Sequence, residues 1–124
     1  MVASPVDPLF GGALLHDATR AGFAAVDHRG VRHVFVPAAD GVPYALDIER
    51  KDALLEPETV SILGAIAPDA PALLTWTRIE VLAKLTDVPA HLVMRNVARH
   101  GWNVQIETRH PPHETYWISI GRMG

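Results

Sequence analysis

The chain has 124 residues, enough for about one domain and one hydrophobic core. With 48% apolar and 20% charged residues it falls among globular proteins, and the absence of cysteine excludes a disulfide framework, a thiolate metal site and a cysteine nucleophile. The net charge of −3 weighs weakly against a nucleic-acid binder, which needs Lys and Arg for phosphates.

That charge is unevenly spread. Residues 1–74 carry ten acids against five Lys/Arg, a balance of −5, whereas residues 75–124 carry four acids against six, a balance of +2. Such asymmetry fits a one-faced electrostatic footprint, and ordinary scatter of surface charge explains it equally well. The apolar runs are too short for a membrane span, and MVASPVDPLF lacks the basic-then-apolar pattern of a secretory signal. The expectation is a cytoplasmic bacterial protein with no membrane contact.

In chain order, Asp7-Pro8 is a good helix start, and Leu9, Phe10, Ala13, Leu14 and Ala18 fall at helical spacing up to Gly22. A helix over 8–21 is therefore predicted, weakened by Gly11 and Gly12. Three strands follow: Phe23 to Asp27, Val31 to Val36, and Val42 to Ile48 after the Asp40-Gly41 turn. They predict a small antiparallel meander. Polar pairs close in sequence along this half, Asp17/His16 and Asp47/Glu49, read as solvated surface. Arg50 to Pro57 is a charged connector, and a helix with an acidic first turn runs from there to Ala67.

Helical phase resumes near Trp76, with Ile79, Leu82, Ala83 and Leu85 on one face, and breaks at Asp87-Val88-Pro89. A second helix runs to Gly101 with Leu92, Val93, Val97 and Ala98 as its buried face. Then WNVQIET, the polar tip RHPPHE and TYWISI alternate as a β-hairpin. The expected fold class is α+β, one domain over 1–124. Residues 1–57 would hold the N-terminal helix and meander, and 58–124 the helices and hairpin.

The helix, turn, helix, Gly-aromatic, strand, tip, strand order resembles the winged helix-turn-helix of bacterial DNA-binding regulators. Ala83 stands where those proteins place a small residue at the helix crossing. Asp87 stands where they usually have a glycine of positive φ, Pro89 replaces the common Ser or Thr cap, and Asn96 replaces a small apolar residue. The resemblance implies a non-catalytic binder of duplex DNA, a transcriptional regulator or mobile-element accessory factor, reading with helix 89–100 and wing 102–120. Fainter still, VRHVFVP…VPYAL and RHGW before a last hairpin are similar to the C-terminal winged-helix domain of some conjugative relaxases.

On that reading the outward residues of the second helix are Ala90, His91, Met94, Arg95 and Arg99, with Arg95 the natural base or phosphate reader. Arg109, His110 and His113 form the wing tip, and Arg78 and Lys84 flank the backbone. So few base-reading groups imply a homodimer. His110-Pro-Pro-His113-Glu114 invites a zinc reading, but no third partner can be placed, so no metal, cofactor or catalytic residue is assigned. Trp76, Trp102 and Trp117 read as core and interface anchors, with base stacking open if Trp117 is exposed. The competing expectation is a protein partner, on a winged fold that has lost DNA binding; the net charge, Ala90, Met94 and Pro89 favour it.

Overall fold

The computed structural model describes residues 3–5, 10, 12–38, 41–101, 104–110 and 115–122. In order they form β1 (Ala3–Pro5), β2 (Ala13–Leu15), β3 (Phe23–Val26), β4 (Arg32–Val36) and β5 (Tyr44–Arg50). Helices α1 (Pro57–Ile66), α2 (Ala72–Thr86) and α3 (Ala90–His100) follow, then β6 (Gln105–Arg109) and β7 (Tyr116–Arg122). The class is α+β, with two small antiparallel sheets of order β1-β2-β4-β3 and β5-β7-β6. Among the described residues no helix is long and apolar enough to cross a membrane.

The second sheet lies between the first sheet and the helices, and the alternation of its strands sets this layering. Tyr44 and Leu46 of β5 and Tyr116, Ile118 and Ile120 of β7 point one way, into a cluster with Phe10, Leu14 and Phe35 of the first sheet's side. Opposite side chains point to α2: Asp47 meets Thr77, and Gly121 lies under Val81. A Cβ on Gly121 would come within 2.5 Å of Val81 Cγ1, so glycine permits the close approach of α2. The helices enclose a second core of Leu63, Ile79, Leu82, Val93, Met94 and Val97.

Two N-terminal expectations are corrected. No described residue before Pro57 is helical, and Ala13–Leu15 is strand, registered on β4 through Ala13↔Val36 and Leu15↔Val34. Leu14 and Leu15 enter different clusters, one on each side of the sheet, as successive strand residues do. Gly12 sits against Phe35 and the Val36 carbonyl, where a Cβ would be 2.5 Å from the ring, so the glycine serves a close sheet approach. The expected meander is also broken. β4 already has β2 and β3 on its two edges, so β5 crosses to the other sheet and pairs with β7 along its whole length.

His16, read as solvated, is half-buried with Nδ1 2.8 Å from Nδ1 of the buried His33. The predicted β3, β4 and α1 stand with small shifts at their ends. α2 begins at Ala72, earlier than the expected start near Trp76.

Candidate nucleic-acid interface

The turn between α2 and α3 is three residues long and begins at Asp87, whose φ of 55° and ψ of 41° are left-handed. Asp tolerates that region better than most residues. The amides of Asp87 and Val88 both donate to the Ala83 carbonyl, closing the end of α2. Pro89 follows as the residue before α3, and its carbonyl accepts from Leu92 and Val93 amides. α3 ends at Gly101, whose φ of 75° favours glycine.

Helix α3 has no acidic residue, and none occurs between Asp87 and Glu107. His91, Arg95 and Arg99 are exposed and fall four residues apart, so they line one face, with Arg99 and His100 completing a basic last turn. The His91 ring lies 6.0 Å from Trp76, which fixes one end of the row on α2. Arg95 reaches Glu58 at 3.9 Å, with side chains 62% and 81% exposed, so this contact is weak and readily exchanged.

Several residues expected in this surface are placed otherwise. Met94 is 1% exposed and belongs to the helical core, whereas Leu92, expected inside, is 59% exposed. α3 packs on both α1 and α2, and this rotates its buried face to Val93, Met94 and Val97. Ala90 is half-buried against the same core and Ala98 is exposed. Arg78 is turned inward: its Nη2 donates to the Ile106 carbonyl at 3.3 Å, tying α2 to β6, and burial lowers its pKa. Lys84 Nζ donates to the Leu46 carbonyl at 2.6 Å and lies 3.6 Å from Asp47 Oδ1. Both side chains therefore serve the α2–sheet contact.

That contact contains a carboxylate cluster that sequence reading left on the surface. Asp47 is buried and accepts from the Thr77 hydroxyl at 2.8 Å. Burial pushes the Asp47 carboxyl up, against the hydrogen bond from Thr77 and the charge of Lys84. Burial and then the neighbouring charges of Asp47 and Glu80 push Glu49 up to about 7. Burial likewise raises Glu80, with Asp47 adding to it and Lys84 and His91 opposing.

At the hairpin, Arg109 pairs with Glu107 of its own strand. His110 is exposed and contacts both the Trp117 ring, at 5.1 Å between centroids, and the Lys51 ammonium. Lys51 Nζ lies 5.4 Å from the centre of that ring, and its backbone amide donates to Thr115 at 2.9 Å. Lys51 is the basic residue that sequence reading missed. Its signal was available, since Arg50-Lys51 is the one adjacent Lys/Arg pair in the chain. Trp117 is half-buried, Trp102 lies outside the described residues, and so do His113 and Glu114. Among the described residues no three His, Asp or Glu side chains are grouped to hold a metal ion.

Beside α3 an apolar groove of about 400 Å³ opens between α2, α3 and the start of the hairpin. Leu82, Val88, Leu92 and Val104 line it, with Thr86 and Asn96 as polar members. The chain matches no family model, no curated protein and no solved structure.

Proposed function

We propose that this chain is a non-catalytic protein that binds duplex DNA through a winged helix-turn-helix, with α3 directed to the major groove and the β6–β7 hairpin to the flanking backbone. The observation that carries this reading is the exposed His91–Arg95–Arg99 row on an acid-free helix that follows a tight left-handed turn. The strand order β5-β7-β6, with the helices inserted after β5, supports it as well. Lys51 and His110 add basic groups at the tip end of the hairpin, as phosphate contacts that position without specifying sequence. With Met94 buried and Arg78 and Lys84 engaged internally, one copy offers few base-reading groups. A homodimer on DNA follows, since two linked sites multiply a weak affinity.

A protein-binding role on the same fold is the second reading, favoured by Val88 and Leu92, which are 37% and 59% exposed at the apolar groove. Gel retardation of a random-sequence duplex at low salt separates the two. The DNA reading predicts a shifted band that an Arg95→Ala/Arg99→Ala variant weakens at unchanged helical content. An unshifted band from the folded wild-type chain defeats it.

A further inference from the structure

A chain of three hydrogen-bonded side chains runs through the N-terminal sheet: Asp27, His33 and His16. Asp27 Oδ1 accepts from the amides of Arg29, at 2.8 Å, and Val31, at 3.1 Å. Its Oδ2 accepts from Arg29 Nη2 and from His33 Nε2, each at 2.9 Å. Burial works to raise this carboxyl, but the bonds from His33, Arg29 and Val31 outweigh it and hold it ionised, well below the usual carboxylate range. An acceptor-only carboxylate requires a proton on His33 Nε2. The other nitrogen of that ring meets His16 Nδ1 at 2.8 Å.

A bond between two Nδ1 atoms holds one proton. A neutral pair satisfies it, and so does a pair with a single positive charge. When both rings are fully protonated, two N–H groups face each other and the bond is lost. The buried His33 ring, 1% exposed, also packs 5.3 Å from Tyr116, the first residue of β7. Arg29 lies 5.8 Å from the centre of the same Tyr116 ring. Arg32 Nη1 donates to the carbonyls of Ala18 and Arg20, and the Ala18 amide donates to Arg32 at 3.0 Å, so the His16 loop is laced to β4. The only other ionisable group in that loop besides Arg20 is Asp17, which is exposed.

We propose that Asp27, His33 and His16 form an acid-released latch within the N-terminal sheet, closed while the imidazoles share one bridging proton and opened by their second protonation. The opened form binds more protons than the closed one, so acidification favours opening. The 16–20 loop and β2 leave β4, and the His33–Tyr116 contact at the start of β7 is loosened, while α1–α3 stay folded. This holds whatever ligand the helices bind.

The test is a histidine nitrogen NMR titration of the full chain from about pH 8 to about pH 4.5, the range in which imidazoles charge, with amide exchange of Ala18 as the reporter. Loss of Ala18 protection is expected together with double protonation of both rings, with α2 and α3 amides retained. His16→Gln, which can accept from a charged His33, is expected to keep Ala18 protected at the same pH. Full protonation of both rings with Ala18 still protected overturns the latch. So does the same acid opening in His16→Gln, and so does the absence of opening in the wild-type chain.

Discussion

The Thr77 hydroxyl donates to the Asp47 carboxylate at 2.8 Å and also approaches that residue's carbonyl at 3.1 Å, at the crossing of α2 over β5. Both residues are buried, and from α2 Lys84 faces the carboxylate as a cation while Glu80 adds a like charge nearby. Replacing Thr77 by valine keeps the shape and removes the donor. Thr77→Val is expected to lower the unfolding free energy by about 1–3 kcal/mol, the range for a buried acceptor that loses its partner. Urea denaturation measures it, and a change within error would mean that Lys84 and Glu49 satisfy Asp47 without the hydroxyl.

Glu49 gives the cluster a pH dependence. Its folded value of about 7 lies above the ordinary 4.5, so the unfolded chain ionises first. Stability is therefore lost as pH rises from about 4.5 to about 7, and acidification through that window restores it. Glu49→Gln removes this residue's share of the effect, leaving that of Asp47 and Glu80. Allowing for solvent screening of a half-buried group, the variant is expected to be about 1 kcal/mol more stable than wild type near pH 8. Thermal melts across pH check the sign: a gain confined to acid would contradict it.

The absence of a side chain at Gly121 fits the sheet to α2. With Val81 Cγ1 2.5 Å from the added Cβ and Ile106 Cγ1 at 3.2 Å, Gly121→Ala must displace packed groups on both sides. A loss of about 1–3 kcal/mol is expected from overpacking. Val81→Ala in the same chain should recover part of it, as the double-mutant cycle would read.

Leu92 and Met94 report the rotation of α3. Met94→Ala removes a fully buried side chain and is expected to cost about 2–5 kcal/mol. Leu92→Ala, at a position 59% exposed, should cost well under half as much. The reverse order in denaturation would return Met94 to the surface.

These residues also mark how far the sequence could be read. Strong local signals survived folding: Pro57 and Gly101 bound their helices, and the alternation of Tyr116, Ile118 and Ile120 marks a strand that turns these three into one cluster. Asp87 occupies the left-handed turn position that the pattern required. Leu9 to Ala18 misled because an apolar spacing of three and four also suits a short strand whose two faces are both covered, as Leu14 and Leu15 show. The pairing of β5 with β7 depends on which edges β4 leaves open, a tertiary fact with no local signature. In α3 the two-sided contact with α1 and α2 moved the buried stripe by a fraction of a turn, enough to exchange Leu92 and Met94. The inward turn of Arg78 and Lys84 was invisible for a similar reason: their acceptors, the carbonyls of Ile106 and Leu46, are 28 and 38 residues away.

On the proposed reading, the basic row of α3 and the Lys51–His110 pair together bind the phosphates of a duplex. The most direct measurement is the slope of log affinity against log salt for a labelled duplex, by fluorescence anisotropy. Each phosphate contact contributes about −0.9 to that slope. Arg95→Gln/Arg99→Gln should therefore flatten it by about two and Lys51→Gln by about one, with the fold intact by circular dichroism. A wild-type slope near zero, or a slope untouched by both variants, would rule out phosphate binding by these side chains.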